Sequence, residues 1–190
     1  MTAATLTLAS SSPRRRQLLE MLGIPLRVIP SNIVEVRRDL ETPMDYVERL
    51  AREKALSVRG DLVLGADTTV VVRDAVLEKP GDHAEALEML RRLQGRTHQV
   101  VTSVVLVAQE IVHQATDVTN VTFRRLDDAF LDAYVATGEP MDKAGAYGIQ
   151  GYGAALVERI DGDFFSVMGL PVRLVLNLLS EAGVEYRFGR

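Results

Sequence analysis

Asp67 stands in "LGADTTV" (64–70), a carboxylate set among strand formers directly after Gly65 and Ala66. A buried carboxylate is costly unless it has a partner or a task. It is either a turn residue at a strand break or a metal-binding or water-activating group at the mouth of a cleft. Lys54 poses a similar choice. In the helical pattern of 43–59, Val47, Leu50, Ala51, Ala55 and Val58 form the apolar stripe, and Lys54 falls on that face. A lysine there either snorkels along apolar surface or turns its ammonium toward an anion. Lys79, in "LEKPGD" (77–82), precedes a proline and a capped helix, so its backbone is held. Glu35 lies in the polar, irregular stretch 31–42, where a lone glutamate is either solvated or a second acid of a site.

The arginines of "SSSPRRRQLLEMLG" (10–23) raise a question of sign. Ser12 suits an N-cap, Pro13 the first helical position and Gly23 the stop. Helix N-termini favour acidic side chains, yet Arg14, Arg15 and Arg16 fill the first turn. At about 100° per residue, Leu18, Leu19 and Leu22 define the buried stripe. Arg15 falls almost on it, Arg14 at its flank, and Arg16 well away from it, in solvent. Arg14 and Arg15, beside free N–H groups at the turn around Ser10 to Ser12, would make a phosphate site. The alternative is a set of exposed or ion-paired arginines. Two arginines, two lysines and two carboxylates outside helical salt-bridge spacing suit a metal-bound polyphosphate. A glycine-rich fingerprint does not supply that binding: "GAYGIQGYG" matches neither G-x-G-x-x-G nor the P-loop.

The elements that must hold these groups alternate between strand and helix. "TLTLA" (5–9) and "RVIP" (27–30) read as short strands, and "DLVLGADTTVVV" (61–72) as a β-rich run interrupted at Gly65–Asp67. "GDHAEALEMLRRLQG" (81–95) is a helix with Asp82 and Glu85 as a capping box and Gly95 as its end. Two long Val- and Thr-rich runs, 97–108 and 110–125, predict antiparallel strands. A helix follows from Asp127 to Thr137. The segment 139–154, "EPMDKAGAYGIQGYGA", is long, polar and Gly-rich, as functional loops often are. Strand 155–162 and an amphipathic helix over 169–183 close the pattern. The expected fold class is α/β: a mixed β-sheet with flanking helices, in one domain with two lobes over residues 1–190.

Composition narrows the function. Lys plus Arg total 22 against 26 for Asp plus Glu, which argues against a general nucleic-acid binder. With no cysteine there is no disulfide and no thiolate metal site. His83, His98 and His113 fall in different elements, against a histidine zinc site. The opening residues lack a charged region before their apolar stretch, and no apolar run is long enough to span a membrane. A cytoplasmic protein is the expectation.

"LASSSPRRRQLL", "LAREKA", "GADTTVV", "EKP", "GRTHQVVTSV", "EPMDKAGAYGIQG" and "GDFFSVMGLPV" follow one another in an order that resembles the Maf family of nucleoside triphosphate pyrophosphatases. The resemblance runs through almost the whole length. It implies an inosine triphosphatase-like fold with a cleft between two lobes. It implies hydrolysis between the α- and β-phosphates, giving a nucleoside monophosphate and pyrophosphate, with a divalent metal (Mg²⁺ or Mn²⁺) and a homodimer. Asp67 matches the family's catalytic carboxylate, and with Glu35 it would hold the metal. Arg14, Arg15, Lys54 and Lys79 match basic phosphate-binding residues, and Ser10 sits at the corresponding turn. Where many members carry two acids, this chain reads Val34–Glu35. "DKAGAYGIQG" is similar to the subgroup acting on dTTP and UTP, with Arg14, Thr68 and Gln150 at its specificity positions. An amide such as Gln150 both donates and accepts, as the edge of uracil or thymine requires. Two alternatives remain open: a pyrophosphatase for 7-methyl-GTP or modified nucleotides, and a non-enzymatic nucleotide-sensing module of division control.

Overall fold

The computed structural model describes residues 5–188. In chain order the elements are β1 (Leu6–Leu8), α1 (Pro13–Met21), β2 (Leu26–Val28), α2 (Pro43–Leu56), β3 (Leu62–Val72), β4 (Ala75–Leu77) and α3 (His83–Leu93). There follow β5 (Thr97–Ala108), β6 (Ile111–Phe123), α4 (Asp128–Ala136), three short 3-10 turns over 139–156, β7 (Val157–Asp161), α5 (Phe164–Val167) and α6 (Val172–Glu181). The strands form one mixed sheet in the order β2-β1-β3-β5-β6-β7, with β4 also paired to β3. By packing, the chain divides into a first unit (Met1–Asp67, Thr102–Asp117 and Gly169–Arg190) and a second (Thr68–Val101 and Val118–Met168).

In the first unit β1 runs parallel to both β2 and β3, with Leu8 opposite Val28 and Leu64. Helix α1 begins as its sequence dictates. Ser12 accepts from the Arg15 N–H at 3.4 Å, and Pro13 occupies the first turn. Leu18 and Leu19 are buried, Arg15 is buried beside them, and Arg16 is exposed and paired with Glu20 at 2.7 Å. Helix α2 packs Ala51 and Ala55 against Val105 of β5. Strands β5 and β6 are joined by Gln109 and Glu110, both at positive φ (47° and 71°). That backbone matches the twist of a tight antiparallel hairpin.

The expected interruption of the third strand does not occur: β3 is continuous from Leu62 to Val72, through Gly65 and Asp67. The glycine serves a different purpose. A Cβ at Gly65 would lie 2.4 Å from the Ala51 carbonyl oxygen and 2.5 Å from the Ala55 nitrogen. Only a residue without a side chain lets α2 settle so closely on β3.

The second unit has its own core, built from Leu77, Leu90, Leu93, Phe123, Leu131, Tyr134, Tyr147 and Leu156 among others. Here β4 runs antiparallel to β3, with Val71 opposite Val76, and β7 runs antiparallel to β6, with Val121 opposite Ile160. Asp82 caps α3 by accepting from the Glu85 N–H at 2.8 Å. Glu85 reaches back to the Gly81 N–H at 2.7 Å, one residue before the position a capping box uses. The Gly-rich segment is not an open loop. Gly145, Ala146, Tyr147, Gly148 and Ile149 are buried, and Ala146 adopts φ 58°. The four-residue helix α5 carries no expectation from the sequence.

Candidate active site

Helix α2 and strand β3 bring Lys54 and Asp67 together. Lys54 Nζ donates to Asp67 Oδ1 at 2.6 Å and pairs with Glu35 Oε1 at 2.7 Å. Lys54 and Asp67 are each 5% exposed, whereas the Glu35 side chain is 41% exposed. Residues 65 and 67 of a strand point to the same face. Gly65 therefore allows the close helix approach on the very face that presents Asp67. Lys54 does not snorkel outward; its ammonium ends on two carboxylates.

Arg15 closes the group from α1. Its Nε donates to the Gly169 carbonyl at 2.8 Å, and its Nη1 donates to Ser10 Oγ at 3.3 Å. Ser10 Oγ also accepts from the Ser12 N–H at 3.2 Å, so the turn before the helix is tied to the arginine it precedes. Burial lowers the Arg15 pKa, and Asp67 and Glu35 act against that loss while Arg14 reinforces it. Burial raises the Asp67 carboxyl above its ordinary range, opposed by Lys54 and Arg15. A carboxylate so raised is a stronger base than a solvated one. Arg14 is half-buried. Three cations and two carboxylates thus gather in the first unit.

Glu35 rides on a loop whose neighbouring apolar side chains face solvent. Val34, Val36 and Leu40 are 79%, 64% and 102% exposed. What holds the loop is Arg49, on the same helix as Lys54. Its guanidinium donates to Glu41 Oε1 at 2.6 Å, to Glu41 Oε2 at 2.8 Å and to the Val36 carbonyl at 3.0 Å. Glu53 accepts from Arg49 and from Arg38 at 3.1 and 2.9 Å. Paired with Arg49, Glu41 titrates well below its usual range, at about 2. This clasp is not legible in the sequence because its partners lie up to fifteen residues apart, across the junction of irregular chain and helix. The run of Arg37, Arg38, Asp39 and Glu41 was the available signal.

The other site residues drawn from the sequence belong to the second unit. Thr68 is half-buried, next along β3. Lys79 is exposed, followed by a buried Pro80. Gln150 is exposed, with an extended backbone (φ −100°, ψ 166°). A Cβ on Gly148 would lie 2.9 Å from Lys143 Cε, and one on Gly151 would lie 2.4 Å from Glu139 Oε2. Both glycines are spent on internal packing.

A family model described as "Maf-like protein" matches residues 5–182. The chain belongs to the Maf family. Among the relatives of this Maf chain is the dTTP/UTP pyrophosphatase of Escherichia coli O6:K15:H31, 50% identical over 93% of this chain and 92% of the relative. The dTTP/UTP pyrophosphatase of Salmonella typhimurium is 51% identical over 93% and 92%. That of Exiguobacterium sibiricum is 44% identical over 99% and 97%. Among solved structures, the Ham1 protein of Staphylococcus aureus aligns at TM-score 0.42 and 12% identity over 80% of this chain and 79% of that one, too distant to bear on the fold. No helix among the described residues is long and apolar enough to cross a membrane.

Proposed function

We propose that this chain is a nucleoside triphosphate pyrophosphatase, a hydrolase of phosphorus-containing anhydrides acting on dTTP and UTP. The observation that carries the reading is the Lys54 ammonium bound by both Asp67 and Glu35, with buried Arg15 beside them. It stands in a chain whose relatives, about half identical, are named dTTP/UTP pyrophosphatases.

The donor set also fits a metal shared with substrate. No group of three His, Cys, Asp or Glu among the described residues could hold an ion alone. Mg²⁺ commonly takes one or two carboxylates and completes its shell with substrate phosphates and water. Asp67 and Glu35 are those carboxylates in this proposal. Bound there, a divalent cation would polarise the phosphate oxygens and lower the pKa of a bound water.

In the proposed reaction Asp67 orients the attacking water and takes its proton. The water oxygen bonds to the α-phosphorus, and the bond from that phosphorus to the α,β-bridging oxygen breaks. Nucleoside monophosphate and pyrophosphate leave. Lys54, Arg14 and Arg15 neutralise charge on the phosphates and on the leaving pyrophosphate, a role proposed for Lys79 as well. Ser10 steadies Arg15. Thr68 and Gln150 read the base, the Gln150 amide meeting the donor–acceptor edge of uracil or thymine. A site built to hydrogen-bond one edge rejects bases that leave its polar groups unpaired. In this reading the enzyme is one domain of two lobes, cytoplasmic and homodimeric.

The test is a panel of canonical and modified triphosphates with Mg²⁺ or Mn²⁺, read by pyrophosphate release. The expected result is a preference for dTTP and UTP that disappears in excess EDTA. Orthophosphate as the first product, or full activity in EDTA, overturns the mechanism. A preference for 7-methyl-GTP overturns the assigned substrate.

A further inference from the structure

Between α4 and β7 the chain folds back on a single carboxylate. Glu139 Oε1 accepts from the Tyr134 hydroxyl at 3.0 Å and from the Gly153 N–H at 2.9 Å. Its Oε2 accepts from the Tyr152 N–H at 2.9 Å. The Tyr134 hydroxyl itself accepts from the Gly148 N–H at 3.1 Å. Three backbone amides, at 148, 152 and 153, therefore end on one Glu–Tyr pair, and Gln150 lies between them.

The glycines follow from this closure. A Cβ on Gly153 would stand 2.1 Å from the Gly148 carbonyl oxygen and 2.8 Å from the Tyr134 hydroxyl. One on Gly151, at φ +71°, would strike Glu139 Oε2. Lys143 Nζ ties the same region to the Glu139 carbonyl at 2.5 Å. Tyr134 is 5% exposed, and burial raises its pKa, so it stays a phenol able to donate. An ionised carboxylate offers acceptors only, which suits three converging donors. The Gln150 side chain, in contrast, is exposed and makes no capping bond to its own turn.

We propose that Glu139 and Tyr134 are positioning residues for base selection: together they clamp both flanks of Gln150 and hold its amide ready for the pyrimidine edge. The inference rests on the reading of Gln150 as a base-selecting residue given above. Without the latch, each substrate molecule would have to order residues 148–153 on binding, an entropic cost that falls on recognition. In this proposal the latch acts through Gln150, so its effect lies in the choice between bases and not in the hydrolysis common to all of them.

Glu139→Gln tests this. The amide keeps the size but sets an NH₂ donor among backbone donors. Tyr134→Phe is the second variant, retaining the ring and removing the hydroxyl. The readouts are kcat/KM for dTTP, UTP, GTP and ATP, and hydrogen exchange at the amides of Gly148, Tyr152 and Gly153. Each variant should speed that exchange and narrow the preference for dTTP over GTP by roughly tenfold, the worth of one lost hydrogen bond. In a Gln150→Ala background the same substitution should narrow it no further, because both act through one group. An equal fall for all four triphosphates, with the preference intact, overturns the latch while leaving the Gln150 assignment standing. Unchanged exchange at the three amides also overturns it. A preference unaltered by Gln150→Ala alone overturns the base reading and the latch's role in selection with it.

Discussion

Asp67 is buried beside Lys54 and Arg15, which favour its charge against the burial that raises its pKa. Replacing it by Asn preserves size and removes both the base and the negative charge. The Asp67→Asn enzyme should lose turnover of dTTP by a factor on the order of 10²–10⁴, the usual contribution of a general base. Its fold should survive, since Lys54 retains Glu35 at 2.7 Å. Pyrophosphate release beside a urea unfolding curve measures both; an Asn variant with parent turnover would remove Asp67 from the chemistry. The reverse substitution is not equivalent. Lys54→Met leaves the Asp67 carboxylate buried without its ammonium, and breaking one side of a buried pair costs about 3–5 kcal/mol. Lys54→Met should therefore unfold at clearly lower urea than Asp67→Asn. Equal midpoints would mean that the carboxylate finds another partner or is neutral in the parent.

The contact of α2 with β3 places these two groups, and Gly65 permits it. Gly65→Ala would set a methyl 2.4 Å from the Ala51 carbonyl oxygen, so the helix must shift. Overpacking of this kind costs about 1–3 kcal/mol, and the shift carries Lys54 away from Asp67. The expected outcome is a lower urea midpoint together with a lower kcat. A variant with parent values in both would show that helix and strand are not so tightly matched. At this scale local signals were legible and distant ones were not. Ser12, Pro13 and the Leu18–Leu19 stripe were enough to place α1, to bury Arg15 and to leave Arg16 in solvent. Val- and Thr-rich alternation was enough for β5 and β6. Asp67 was misplaced at a strand break because Gly65 usually signals one, and only its approach to α2 reveals the other use of a glycine. The Arg49 clasp and the Glu139 latch join residues whose pairing no local periodicity encodes. The carboxylates of both, Glu41 and Glu139, sit in segments that read as irregular chain. Lys54 and Glu35 carried chemical types that suited a site, but their meeting on one ammonium needed the fold.

Across the whole molecule, two polar groups in different units set how the fold meets acid. His98, in β5, is 2% exposed, edge-on to Phe123 and Tyr147 at 4.9 and 5.4 Å between ring centres. Its Nε2 lies 2.8 Å from the Tyr147 hydroxyl, and its buried Nδ1 has no hydrogen-bond partner among the described residues. Burial pushes its pKa down to about 4. The unfolded chain takes up this proton near pH 6.5, whereas the folded chain holds the ring neutral. Between about pH 6.5 and 4 the unfolded state thus binds more protons, and stability falls as pH falls. The whole window is worth on the order of 3 kcal/mol. Glu41 acts lower. Its pKa near 2 means that its pairing with Arg49 stabilises the fold above the ordinary range near 4.5 and is lost as pH falls through about 2. Asp67, raised by burial, has the opposite sign and offsets part of the His98 loss. His98→Asn carries no titrating ring but keeps a polar group for Tyr147. Its urea midpoints, measured from pH 7 to pH 3, should show no decline from 6.5 to about 4.5, where the parent declines, and then fall with the parent as the unfolded chain takes up the Glu41 proton. Arg49→Met should show the reverse, with the parent's decline in the upper window and a reduced one below it. If all three proteins gave parallel curves, acid would be entering the fold elsewhere, and the buried ring of β5 would be indifferent to protonation.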